Sequence, residues 1–196
     1  MFRDTLPHWV VDRGCYAVTL RCHGSLPAEV LFRLREYGEA EEERPPSSEV
    51  YEQRQRHLFR ILETYLDQGT GFAPFTDSTL ARICSEWLRT YDEDGLRFSD
   101  WSVMPNHLHL ITQPLFCDSC ETFRTIWVRF KMRASHLLNQ NLSRTGKVWQ
   151  RSWFDRWIRT PTELAHWQNY VESNPAKTRL CQQSQDWPGN SNYRKR

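Results

Sequence analysis

The sequence predicts an α+β fold, a ferredoxin-like βαββαβ sandwich with one extra helix at its C-terminal end. Three observations carry this: short runs of strand-forming residues, apolar periodicities of three and four between them, and capping signals where the helices should begin. Cys15-Tyr16-Ala17-Val18-Thr19-Leu20-Arg21-Cys22, followed by Gly24, reads as the first strand. Residues 36–50, with their glutamates and Pro45-Pro46-Ser47-Ser48, read as a linker or surface insertion within a wider 23–50 excursion. Tyr51 to Leu66 places Leu58, Ile61, Leu62 and Tyr65 on one helical face. From Asp77, a good N-cap, a second helix repeats Leu80, Ile83, Cys84, Trp87, Leu88 and Tyr91. Leu96 to Met104 and His107 to Gln113 form a hairpin through Pro105-Asn106. After Asp118-Ser119 comes the longest stripe, Phe123, Ile126, Trp127, Phe130, Ala134, Leu137 and Leu138. Val148 to Arg159 is an aromatic-rich strand. The last helix opens at Thr160-Pro161-Thr162-Glu163, a capping box with proline in the first turn, and should end by Asn174, before Pro175. An antiparallel sheet with helices on one face follows from this order.

The chain of 196 residues is read as one domain over 1–180 and a tail over 181–196. Hydrophobic content of 39% and charged content of 26% describe a globular protein, and no apolar run approaches the ~18 residues of a membrane-crossing helix. With no apolar signal core, a cytoplasmic location is expected, with no membrane partner. Six scattered cysteines do not form a secreted disulfide framework. Cys117-Asp118-Ser119-Cys120 lacks a second pair and reads as a helix-start loop rather than a zinc or redox site. Net charge is only +2, but it is segregated: residues 121–196 carry 14 Lys+Arg against 5 Asp+Glu, and residues 1–120 carry 12 against 19. A basic half built on periodic elements can present an electropositive surface to phosphates.

Two histidines flank one leucine in Met104-Pro105-Asn106-His107-Leu108-His109-Leu110. Residues two apart on a strand share a face, so His107 and His109 can bind one metal while Leu108 and Leu110 enter the core. On the last helix Leu164, Trp167 and Val171 make the apolar side, and Tyr170 lies at its edge with Asn174 one turn on. A tyrosine in that position alone is more often a packing residue than a nucleophile.

These stretches, together with Val148-Trp149-Gln150-Arg151, Phe154-Asp155-Arg156, Ile158-Arg159 and Tyr170-Val171-Glu172-Ser173-Asn174-Pro175-Ala176-Lys177, resemble the successive signatures of the single-tyrosine HUH transposases. Within them the chain is most similar to the REP-associated tyrosine transposases of bacteria, from about Cys15 to Leu180. The resemblance implies a ferredoxin-like fold, Mg²⁺ or Mn²⁺, and cleavage and rejoining of single-stranded DNA beside hairpins. It implies His107 and His109 as metal ligands, Tyr170 as nucleophile and Asn174 as third ligand. It also implies a DNA-bound, nucleoid-associated state in the cytoplasm, as monomer or homodimer. The family commonly has glycine near Arg179, which ends the tyrosine helix, and the tail here follows the family only in part.

For DNA contact the residue types favour Arg124, Lys131, Lys147, Arg151 and Arg156. Trp149, Trp153 and Trp157 alternate with arginines in a pattern able to stack bases, although packing of the sheet is the commoner use of such tryptophans. Three functions are compatible with these residues: a strand transferase working through a 5′-phosphotyrosine, a non-cutting protein that recognises palindromic repeats, and a metal phosphodiesterase using water.

Overall fold

The computed structural model describes residues 2–3, 7–32, 49–69 and 71–194, so most of the expected 36–50 linker lies outside the described residues. In order, the elements are β1 (Cys15–Arg21), α1 (Glu49–Leu66), α2 (Ser78–Thr90), β2 (Phe98–Met104), β3 (His107–Thr112), α3 (Cys120–Asn141), β4 (Phe154–Ile158) and α4 (Pro161–Lys177). These four strands form an antiparallel sheet in the order β2-β3-β1-β4, and Phe2–Arg3 pairs antiparallel with Pro7–His8 in a separate two-stranded sheet. The α+β class, the element order and the extra helix bearing the tyrosine are therefore all present. Among the described residues no helix is long and apolar enough to cross a membrane.

Period-two alternation divides the sheet into two faces with different chemistry. Tyr16, Val18 and Leu20 of β1, Trp101 and Val103 of β2, and Leu108 and Leu110 of β3 point into the main core. There they meet Leu80, Cys84 and Leu88 of α2 and Phe123, Trp127 and Phe130 of α3. Each fully buried side chain of this size contributes roughly 1.5–3 kcal/mol. Asp77 caps α2 by accepting from the Thr79 N–H at 2.8 Å, and Ser119 caps α3 by accepting from the Thr122 N–H at 3.1 Å. Ser119 sits inside the C-x-x-C stretch, whose cysteines are free.

The opposite face corrects one expectation, since helices cover both faces of the sheet. α1 buries Leu58, Leu62 and Leu66 against Leu26, Val30 and Phe154 of β4. α4 sets Val171 against Ala17, Ile111 and Ile158, and Gln168 donates to Asp100 of β2 at 2.9 Å. Apolar periodicity reveals that a helix has a buried side, but it does not say which face of a sheet receives it.

Two further expectations are revised. The strand expected over 148–159 is regular only from Phe154, although Gln150 N–H still reaches Arg21 O at 2.8 Å. Between these points the Lys131 ammonium donates to the carbonyls of Gln150 and Arg151, both at 2.6 Å, turning them away from the ladder. Trp149 and Trp153 are buried in the main core and Trp157 packs against it, which is the packing use of the three tryptophans. α4 does not stop at Asn174 but continues to Lys177 with Pro175 buried inside it. A proline so close to the C-terminal end forfeits one intrahelical bond, and the helix then closes in a Schellman motif. Leu180 N–H reaches Pro175 O at 2.9 Å and Arg179 N–H reaches Ala176 O at 3.1 Å. Arg179 takes the left-handed φ of 62° that the family's glycine would adopt without strain.

Candidate metal and tyrosine site

The two-residue turn Pro105-Asn106 pairs Met104 with His107 and so fixes which face each histidine meets. Its carbonyls are held from outside: Cys22 N–H donates to Asn106 O at 2.8 Å and Phe75 N–H to Pro105 O at 3.1 Å. His107 and His109 consequently lie side by side on the face opposite the main core, beside Arg21 and Thr19 of β1. Their exposures are 0% and 2%.

Both imidazoles are oriented from behind. The Asn106 side-chain oxygen lies 2.8 Å from His107 Nδ1, and the Thr19 hydroxyl 3.0 Å from His109 Nδ1. An acceptor on Nδ1 keeps the proton there and leaves the Nε2 lone pair available. The two Nε2 atoms face each other at 2.9 Å. Burial, aided by neighbouring His109, lowers His107 to about 3, so its ring is neutral near pH 7.

The third donor is Glu63 of α1. One carboxylate oxygen lies 3.4 Å from His109 Nε2 and also accepts the hydrogen bond of the Tyr170 hydroxyl. The other is buried with no hydrogen-bond partner. Burial alone would raise the Glu63 carboxyl. Neighbouring His109, with help from His107 and the Tyr170 hydrogen bond, outweighs that and holds it at about 2. Ligand atoms of Glu63, His107 and His109 all lie within 4.8 Å of one another. Lone pairs converging in a buried space repel unless a cation lies among them, and two imidazoles with one carboxylate are the donor set of an open divalent site. The residues present therefore fit a metal ion.

Tyr170 reaches this cluster from within the same chain. Its ring meets His109 at 5.3 Å between centroids and Phe59 at 5.4 Å. Burial first, then the Glu63 charge and hydrogen bond, raise its pKa, so the group is held as a phenol. Asn174, 3% exposed, places its side chain on the Tyr170 hydroxyl. The position expected for a third ligand is thus beside the tyrosine, and the third member of the clustered set is Glu63, which the sequence reading missed. Its signal was faint: Phe59 and Glu63 stand one turn apart on the flank of the Leu58, Leu62, Leu66 stripe, where an acidic residue looks like an ordinary solvated one.

The five basic candidates fall in two places. Arg124, Lys131, Lys147 and Arg151 line one groove of about 450 Å³ between α3 and the 147–153 segment. Arg156 lines a separate cleft beside Tyr170, where its guanidinium pairs with Glu163 at 2.8 Å. The two clefts adjoin in sequence, because Trp153 lines the first and Phe154 the second.

The sheet thus brings His107 and His109 together with Glu63 of α1 and Tyr170 of α4 in one chain. Across slightly under half of its length the chain is similar in sequence to REP-associated tyrosine transposases. It is 27% identical over 95 residues, 48% of this chain and 53% of the relative, to the REP-associated tyrosine transposase of Escherichia coli (strain K12). It is 26% identical over 99 residues, 47% of this chain and 56% of the relative, to a putative REP-associated tyrosine transposase of Haemophilus influenzae (strain Rd). The chain thus spans about half the length of the curated relatives it matches. A solved structure of a REP-associated tyrosine transposase bound to a REP hairpin covers 97% of this chain and 82% of its own, at 17% identity and a TM-score of 0.49. No family model matches the chain.

Proposed function

We propose that this chain is a DNA strand transferase of the REP-associated tyrosine transposase type, cutting and rejoining single-stranded DNA beside a hairpin. The observation that carries this reading is the Tyr170 hydroxyl on the same Glu63 carboxylate that contacts His109, which joins a nucleophile to a metal-competent cluster in one chain.

Glu63, His107 and His109 would hold the ion. Asn174 would add its amide oxygen while its nitrogen steadies the phenol. Mg²⁺ or Mn²⁺ would serve, with the imidazoles favouring Mn²⁺, and when bound it would offset negative charge on a nonbridging phosphate oxygen. Tyr170 supplies the attacking oxygen. Its proton passes to the Glu63 carboxylate that already accepts its hydrogen bond, the new O–P bond forms as the bond to the 3′-oxygen breaks, and the leaving 3′-oxygen takes up a proton from solvent. A 5′-phosphotyrosine and a free 3′-hydroxyl result. The covalent ester conserves the bond energy, so a later 3′-hydroxyl can reverse the step, which attack by water would forfeit. The groove of Arg124, Lys131, Lys147 and Arg151 suits the phosphates of the hairpin stem, with Lys131 contributing less because the Gln150 and Arg151 carbonyls already engage it.

The test is cleavage of a labelled, hairpin-flanked single strand in Mn²⁺. Wild type should cut, while Tyr170→Phe and His107→Ala should lose cutting by a factor of at least about 10³, a removed nucleophile being worth that much or more. Tight binding without cutting by the wild type would favour a non-cutting repeat-binding protein. Cleavage that survives Tyr170→Phe would favour a phosphodiesterase using water.

A further inference from the structure

Arg21 ends β1 directly opposite His107, its Cα partner in the β1–β3 register. Residues facing each other across two strands share a face, with Cβ atoms about 4.5–5.5 Å apart. The arginine therefore stands on the metal-competent face, in the rows that hold Thr19, His107 and His109. It is 2% exposed, and its Nε and Nη1 atoms are buried with no hydrogen-bond partner. Among the described residues no carboxylate pairs with it, and burial lowers its pKa to about 10, so the guanidinium is charged near pH 7. After burial and His109, that charge is a further cause of the lowered His107. A buried cation without a partner is costly, and beside a divalent site it is costly twice, because it repels the ion that Glu63, His107 and His109 would hold. Glu63 does not relieve it, since its carboxylate contacts His109 and Tyr170. An anion lying between guanidinium and ion would remove both costs.

We propose that Arg21 is a catalytic residue of strand transfer, its guanidinium pairing with the nonbridging oxygen of the scissile phosphate that the metal leaves free. The proposal rests on the strand-transfer reading and deepens it by giving that phosphate a second positive charge, borne by the protein. His107 is itself 0% exposed, so a phosphate that reaches an ion on its Nε2 has entered the space beside Arg21. A guanidinium offers parallel N–H donors to phosphate oxygens, and it does so most strongly where water is excluded. The negative charge on those oxygens persists while the Tyr170 O–P bond forms and the bond to the 3′-oxygen breaks. Arg21 keeps all its protons throughout and holds that charge.

The experiment uses the full chain with hairpin-flanked single strands, Mn²⁺ and the variant Arg21→Met, which keeps an unbranched apolar stem and drops the charge. Removing an unpartnered buried charge should raise the midpoint of urea unfolding by about 0.5 M, so the variant folds. It should cut an ordinary strand at least about 10²-fold more slowly than the wild type. On a strand whose scissile linkage is a neutral methylphosphonate, the two proteins should cut within about threefold of each other, because the charge that Arg21 answers is gone. Tyr170→Phe supplies a readout without cutting: the intact strand should tighten Mn²⁺ binding, and adding Arg21→Met should shrink that tightening at least about threefold. A lowered urea midpoint, an undiminished rate, the same rate gap on the methylphosphonate or an unshrunk tightening overturns the proposal. Strand transfer is scored apart. Cutting that requires Tyr170 but not Arg21 leaves it standing without the arginine, and a tightening that depends on Arg21 in a chain that never cuts does the reverse.

Discussion

At Tyr170 the decisive physical fact is a shared carboxylate oxygen, since Glu63 faces both the phenol and His109. A buried carboxylate with one unpartnered oxygen beside two opposed imidazole lone pairs is costly without a cation. Metal should therefore stabilise the fold as well as enable chemistry. Mn²⁺ at a hundred times its dissociation constant should add about 2.7 kcal/mol, or roughly 5–10 °C in Tm for a chain of this size. Differential scanning calorimetry with and without chelator checks this. Glu63→Gln and His107→Ala should each lose most of the shift, and an unchanged shift in Glu63→Gln would remove Glu63 from the ligand set. The histidine pair was legible because its spacing of two on a strand fixes a common face, and Tyr170 because capping and periodicity fix its place on a helix. Glu63 was not, because a ligand 44 positions from His107 in the numbering shares no period with it.

The tyrosine helix shows what an element's ends contribute. Thr160 accepts from the Glu163 N–H at 3.1 Å, as the capping signal foretold, but the Glu163 carboxylate turns to Arg156 and the Arg159 N–H instead of closing the box on Thr160. Thr160→Ala should cost about 1 kcal/mol. At the other end Arg179 sits at φ 62° without the freedom of glycine. Arg179→Gly should raise stability by about 1 kcal/mol in urea unfolding, with the slope on denaturant unchanged. A loss of stability there would mean that the Arg179 side chain contributes more than its backbone costs. The continuation past Pro175 was hidden from sequence, because a proline rule states where a helix is interrupted and not how cheaply a last turn tolerates it.

Across the whole molecule, the 181–196 tail lies along the sheet's edge. Val103 N–H donates to Gly189 O at 2.9 Å and Ser191 N–H to Trp101 O at 2.9 Å, covering β2, which would otherwise present open backbone. Trp187 is 7% exposed and donates to Val103 O at 2.7 Å. Gly189 is required by closeness, because a Cβ there would stand 2.8 Å from Val103 O and 2.6 Å from the Trp187 ring nitrogen. Trp187→Ala should cost about 3–5 kcal/mol, and chemical denaturation should detect it without a change in secondary structure at low denaturant. This docking was not readable from composition, since a Trp-Pro-Gly-Asn run resembles a loop until its partner strand is known. The segregated charge was readable, and four of the five basic candidates share one groove while the fifth lines the cleft at the tyrosine. The most direct measurement of the central claim is mass spectrometry of the protein after incubation with a hairpin-flanked single strand and Mn²⁺ under denaturing work-up. The expected result is a peptide carrying a nucleotide 5′-phosphate on Tyr170, absent from Tyr170→Phe. Cleaved DNA with an unmodified Tyr170, or a nucleotide on another residue, would contradict it.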